Sequence, residues 1–424
     1  MNSRTSTLAR RVGIVTVTAA IAVGLGACAS GGTASGKTTV TFAYLWTAEG
    51  AKTVESMIEK FNDSHDDIQV VGVPTDATKQ LAAMSASTGT FDVSDNFGAD
   101  VKSWAAKGIL EPLDGYLDAA DLADFVPTAM EQMTYEGSTY SMPILLHTSQ
   151  LISNTDILAS AGVAPPTTTD EFYDAIDKLS VVGSDGTIER LGWGFSSEYE
   201  PLLLLGWAGG GQWDTDAGPT PDDPKIVAAL TEFQNRYVNK YGADRIATLR
   251  SGFGDYLSDA DPFYTGKLAM VFDGEWHAST APAHAPNLKW DVNDIPVSSS
   301  SLAGTTSLSS STLFIPRNAQ HKKEAATFVQ WMLQPQQMVE FSTAMVNLPS
   351  RLSVLGDPAY ADLTNFGPFL KSLNSPNLKV LGGKPYSAEY QADLTSAFDQ
   401  ILLGTRTATQ ALADVASRAA SYER

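Results

Sequence analysis

Apolar and polar residues alternate through TVTFAYL (residues 38–44), the period of a half-buried strand. In AKTVESMIEKFN (51–62), Val54, Ile58 and Phe61 recur at helical spacing. DIQVVGV (67–73) predicts a second strand, and FDVSDNF (91–97) a short third one that ends in polar residues. DVKSWAAKG then predicts a helix stopped by Gly108. Strand, helix and strand in alternation predict an α/β fold with parallel pairing and right-handed crossovers. Thr168-Thr169-Asp170-Glu171 is a capping box, and the helix it opens buries Phe172, Ile176 and Leu179. KKEAATFVQWML (322–333) is amphipathic, with Phe328, Trp331 and Met332 on or near one face. The serine-rich stretch 298–311 has a linker's composition but lies between strand-like NDIPV and TLFIP, so it is expected to be an ordered crossover.

The start of the chain follows a different pattern. Arg4, Arg10 and Arg11 precede Val12–Ala27, a run of apolar and small residues that ends at Cys28, the one cysteine. This is the form of a secretory signal, too short for a permanent bilayer span of about 20 residues. Leu25-Gly26-Ala27-Cys28 resembles the bacterial lipobox, whose cysteine becomes the lipidated first residue. An unmodified signal with an incidental cysteine is the plain alternative, and Arg10-Arg11 leaves Sec or twin-arginine export open. Residues 28–37 are small and polar, a flexible tether. The expectation is a soluble body held by lipid to the outer face of the cell membrane.

Charge narrows the partners. The chain carries −20, and residues 1–27 hold three arginines and no acid, so the remainder stands at −23. Such a surface repels nucleic acid and anionic headgroups. Hydrophobic residues are 43% of the chain, enough for a real core, and nearly 400 residues after the signal favour two domains.

Several catalytic and metal motifs are absent: no GxSxG, HExxH or CxxC. His65, His147, His277, His284 and His321 are scattered, so no metal site and no cofactor are expected. Asp273 and Glu275, two apart on an extended segment, suit a glycosidase pair, or equally a turn aspartate and one ligand contact. More distinctive are aromatics beside glycine and polar turns: Tyr44 and Trp46, Gly192-Trp193-Gly194, Trp207 with Gly209-Gly210, and Gly274-Glu275-Trp276. A sugar ring offers a C–H face to an aromatic plane and a hydroxyl rim to carboxylates and amides. Trp104 and Trp331 fit core positions in helices, whereas Trp46 and Trp276 follow strand-like runs, where ligands gather in open α/β sheets.

Several segments, in order, resemble one family. LISNTDILASAGVAPPTTTDEFYDAIDKL and DPFYTGKLAMVFDGEWHA, with GILEPLDGYL, YSMPILLH and LFIPRNAQHKKEAATFVQWML, resemble bacterial ABC-importer sugar-binding lipoproteins of extracellular solute-binding family 1. The resemblance covers about residue 38 to at least 351; Thr169 and Ser153 depart from the family's usual tryptophan and tyrosine. It implies a periplasmic-binding-protein type II fold, two α/β lobes joined by a hinge with a ligand cleft between them. After the signal (1–27) and tether (28–37), the N-lobe would comprise 38–146 and 298–346, and the C-lobe 147–297 and 347–424. Crossovers would fall near Pro143–Ser149, Asp294–Ser301 and Val346–Arg351.

Carried over residue by residue, the N-lobe wall would hold Trp46, Glu49, Asp95 and Asn96, with His147 at the first hinge. The C-lobe would offer Tyr199, Trp207, Gly209, Glu275 and Trp276, with Arg351 near the last crossover. The implied function is capture of a mono- or oligosaccharide by a monomer and delivery to an ABC permease. A binder of a polyamine, peptide or phosphodiester, or a surface-anchored glycosidase, are the alternatives.

Overall fold

The computed structural model describes residues 36–197, 199–382 and 384–422. The signal segment, Cys28 and the tether up to residue 35 lie outside the described residues. Among those described, nine strands share one mixed sheet: β1 (Thr38–Tyr44), β2 (Ile68–Pro74), β3 (Val93–Phe97), β4 (Ser141–Asn154), β5 (Met270–Gly274), β6 (Trp290–Asn293), β7 (Thr306–Phe314), β8 (Leu348–Pro349) and β9 (Leu378–Lys379). The main path runs β5-β4-β7-β3-β1-β2; β6 and β8 also pair with β4, and β9 with β7. β1 is parallel to β2 and β3, with Val40 opposite Val70 and Phe42 opposite Val93. This is the pairing that strand–helix–strand alternation predicts. β7 runs antiparallel to both β3 and β4.

Local signals in the sequence account for the helices. Ala48–Ser64 buries Val54, Met57, Ile58 and Phe61, a stripe one turn wide that packs on the sheet. Gly98–Ala106 buries Val101 and Trp104, and Gly108 beyond it takes φ +68°, the left-handed conformation that ends a helix without steric cost. The capping box forms: Thr168 Oγ1 accepts from the Glu171 N–H at 3.2 Å, and the Glu171 carboxylate accepts from the Thr168 N–H. Phe172, Ile176 and Leu179 lie buried beneath. Trp331 is half-buried and meets Phe61 edge-on at 5.5 Å.

Side chains gather in two large cores. Phe42, Phe61, Phe328 and Phe341 belong to the smaller, and Phe172, Trp193, Phe272 and Phe398 to the larger. Several segments pass between them. On β4, Leu145 packs in the smaller core and Leu146 in the larger; on β7, Leu308 packs in the larger and Leu313 in the smaller; and Leu348 and Val354 divide the same way. The serine-rich stretch is ordered, and its passage lies within β7, beyond the Asp294–Ser301 stretch. Its hydroxyls are satisfied inside: Thr306 Oγ1 donates to the Ser149 carbonyl at 2.5 Å and Ser310 Oγ to Gln132 Oε1 at 2.6 Å.

Candidate functional site

β5 ends at Gly274, opposite Ser149 on β4, and delivers Glu275 and Trp276 to the junction of the two cores. Glu275 is fully buried. Its Oε1 lies 2.7 Å from His147 Nδ1 and accepts from Asn347 Nδ2 at 3.0 Å, while Oε2 accepts from the Thr148 N–H at 3.3 Å. One carboxylate therefore ties β4 to the chain just before β8. Burying a carboxylate is costly unless its oxygens are hydrogen-bonded, and here both have partners. Trp276 is half-buried, with its ring 6.2 Å from His147 and its Nε1 donating to the Tyr256 hydroxyl at 2.6 Å. That hydroxyl donates to Asp273 Oδ1 at 2.7 Å, and Asp273 Oδ2 lies 2.9 Å from His277 Nε2. Gly274 lets the indole pack close, because a Cβ there would stand 2.2 Å from the Trp276 ring.

Trp276, Tyr256, Asp273, Tyr199 and Glu200 line a cavity of about 470 Å³, with Phe195 and Phe263 in its apolar wall. Glu200, in the first turn of helix Tyr199–Ala208, accepts hydroxyls from Ser149 (2.6 Å) and Ser307 (2.5 Å). Burial pushes its carboxyl above the ordinary range, and nearby Asp273 and Glu275 push the same way, against those two hydrogen bonds. Burial likewise raises the Tyr199 phenol, with the charges of Glu200 and Asp214 adding.

On the other side stands Phe97, the last residue of β3, 56% exposed. It pairs with Ser311 across the β3–β7 ladder, and directly opposed residues point to the same sheet face. Ser311 Oγ lies 3.1 Å from His147 Nε2. Phe97, Ser311, His147 and Trp276 thus follow one another across the junction.

The structure assembles Tyr199, His147, Glu275 and Trp276 from the sequence-predicted set, and gives several others structural duties. Asp95 is buried, its Oδ1 accepting the Leu45 N–H at 2.7 Å, and burial pushes its carboxyl up to about 7 against that bond. Asn96 is buried as well, donating to Gln80 Oε1 at 2.6 Å. Both tie β3 to its neighbours: Asn96 alternates to the face opposite Phe97, whereas Asp95 shares the face of Phe97 but is buried, its carboxylate taken up by the Leu45 N–H. Arg351 is 2% exposed, forms a two-pronged pair with Asp121 (2.8 and 2.6 Å), meets Asp124 at 3.1 Å and covers the Phe125 ring at 4.4 Å. Trp207 is buried in the larger core, and Gly209 packs so tightly that a Cβ would come within 2.8 Å of Ala229. Glu49 is exposed and pairs with Lys52 at 2.6 Å; Trp46 is half-buried, edge-on to Phe341 at 5.6 Å. Glu49, Trp207, Gly209 and Arg351 are not brought to the cavity. Sequence reasoning missed Phe97, Tyr256, Glu200 and Asn347, and only Phe97, an aromatic before a glycine that opens a helix, carried a local signal.

Comparison with known proteins places this arrangement. The model of the bacterial extracellular solute-binding proteins matches residues 47–339. The chain belongs to that family. This solute-binding protein is 26% identical over 349 residues to an uncharacterized lipoprotein of Streptomyces antibioticus, covering 79% of this chain and 75% of the relative. It is 25% identical over 393 residues to a mannitol-binding protein of Pseudomonas aeruginosa, covering 85% and 87%. Its fold matches that of CpMnBP1 with mannotriose bound at a TM-score of 0.79 and 23% identity, over 90% of this chain and 100% of that one. A cyclic α-maltosyl-1,6-maltose binding protein from Arthrobacter globiformis matches at 0.73 and 22%, over 91% and 98%. The solute-binding protein therefore has the type II periplasmic-binding-protein fold.

Proposed function

We propose that this solute-binding protein captures a carbohydrate between two lobes and hands it to an ABC permease. The observation that carries the reading is the cavity beside Trp276 on the side of the larger core, with Trp276, Tyr256 and Tyr199 for a sugar's C–H face and Glu200 and Asp273 as hydroxyl acceptors. Relatives described as binding mannitol and maltotriose support it. The lobes are 38–146 with the later half of β7 up to residue 346, and 147 up to the first half of β7 with 347–424, and ligand shifts their open–closed equilibrium. Lipid on Cys28 holds the monomer at the outer face of the membrane, in keeping with a relative described as a lipoprotein. The protein is a binder and not a glycosidase. Asp273 lines the cavity, whereas Glu275 is sealed behind His147 and Asn347 and is not free to act with it.

Thermal unfolding of Thr38–Arg424 against sugars, polyamines and peptides tests this. A sugar at a hundred times its Kd adds about 2.7 kcal/mol of stability. The reading holds if one sugar class raises Tm, the sugar is recovered unchanged, and Trp276→Ala abolishes the shift. A rise with a polyamine or peptide alone overturns it.

A further inference from the structure

The charge of the cavity beside Trp276 is one-sided. Among its described lining residues Glu200, Asp261 and Asp273 are acids, and none is lysine, arginine or histidine. Asp273 Oδ2 has His277 Nε2 at 2.9 Å, and Glu275 has His147 at 2.7 Å. Asp261 shapes a turn, its two oxygens accepting the Leu257 and Phe263 N–H groups at 2.8 Å each. Glu200 differs from both. Ser149 and Ser307 donate to the same oxygen, Oε1, and among the described residues Oε2 accepts no hydrogen bond and the carboxylate has no ion-pair partner. Arg250 stands over the Phe195 ring at 5.1 Å, but it donates to the Ser196 carbonyl and does not line the cavity.

A concave site lined by one sign of charge and by apolar walls concentrates the opposite charge. The walls here are aromatic, with Trp276, Tyr256, Tyr199 and Phe195 among them, and such rings attract a cation as well as the C–H face of a sugar. Burial, with the charges of Asp273 and Glu275 adding, holds the Glu200 carboxyl above its ordinary range; a cation beside it favours the charged form instead. Neutral hydroxyls can fill the lone pairs of Oε2, but they leave the charge uncompensated. A polyamine supplies the charge and lacks the ring face. A ligand with both is a sugar that carries an amine, and about 470 Å³ lies within the range of roughly 300–1,000 Å³ that holds one small ligand.

Resting on the sugar-binding reading above, we infer that the ligand is an amino sugar, its free protonated amine beside Glu200 Oε2 and its C–H face against the aromatic wall that Trp276 and Tyr256 form. N-acetylation removes the charge, so the unacetylated form is the one preferred.

The test is calorimetric titration of Thr38–Arg424 with glucose, galactose and mannose, each beside its 2-amino and 2-acetamido form, and with the corresponding β-1,4-linked disaccharides of the gluco series, at a pH where the amine is protonated. In the series that binds, the amine is expected to be at least about tenfold tighter than both neutral forms, as one hydrogen bond to a charged group allows. Glu200→Gln keeps an acceptor for Ser149 and Ser307 and removes the charge, so it should bring that ratio towards one. The circular dichroism spectrum checks the fold of the variant, and the ratio itself is read on the unaltered protein. A neutral sugar as tight as its amine overturns the inference and leaves sugar binding standing, as does a ratio that Glu200→Gln leaves unchanged in a folded protein. If no sugar binds, with or without an amine, sugar binding itself has failed, and the inference with it.

Discussion

His147 Nδ1 lies 2.7 Å from Glu275 Oε1, a contact across 128 residues that joins the first passage between the cores to the end of β5. Because Glu275 is fully buried, the pair is structural before it is anything else. His147→Ala should leave the carboxylate with Thr148 and Asn347 alone, at a cost of about 2–3 kcal/mol. Scanning calorimetry should show Tm lower by several degrees, and a double-mutant cycle with Asn347→Ala should show strong coupling. An unchanged Tm would mean that the pair is not formed in solution.

Gly274→Ala addresses the position of Trp276. The added methyl meets the indole at 2.2 Å, so the ring must move off the cavity mouth while the strand itself is kept. Ligand affinity should fall at least about tenfold, with a cost in stability of roughly 1–3 kcal/mol from overpacking. Titration beside urea unfolding separates the two effects.

Asp95 makes stability depend on pH. Burial raises its folded pKa to about 7, above the roughly 3.9 of an unfolded aspartate. The folded state therefore holds the proton more tightly, and this group adds stability as pH falls from about 7 towards 4. Above pH 7 it is a charged, buried group and opposes folding. Asp95→Asn keeps the acceptor for the Leu45 N–H and removes the charge. The variant should be more stable than the parent at pH 8, by on the order of a few kcal/mol, with the two converging below about pH 4. Equal pH profiles for the two proteins would refute the assignment.

Arg351 anchors the chain after β8. Its guanidinium is buried against Phe125 and held by Asp121 and Asp124, so Arg351→Met leaves two carboxylates without their cation. The variant should lose about 3 kcal/mol in urea unfolding, whereas Arg351→Lys should recover only part because the two-pronged geometry is lost. Affinity for the ligand, measured on whichever variant remains folded, should stay within about twofold of the parent. A much larger loss of affinity would bring Arg351 back to the site.

Periodic segments could be read directly. Val54, Ile58 and Phe61 recur every three or four residues, and Thr168 with Glu171 forms its box within four, so short-range geometry decides them. The parallel pairing of β1 with β2 also follows from element order, since a crossover helix leaves few other topologies. Trp276 was legible too, as an aromatic just past a strand end.

What the chain alone determined, then, are the features set by neighbours in sequence: helix faces, caps, the parallel pairing of the first strands, and the acidic net charge. Only the tertiary structure decided which polar groups face a ligand. Asp95 and Asn96 look like site residues in FDVSDNF, yet both are buried, Asp95 held by the Leu45 N–H and Asn96 by Gln80, and the exposed tip is left to Phe97. Arg351 and Trp207 lie near expected site segments and are buried by partners far away in sequence, Asp121 among them. Glu275 is closed off by His147 and Asn347 in the same way. A side chain's direction and the partners that claim its hydrogen bonds depend on contacts of long sequence separation, and no local pattern records them.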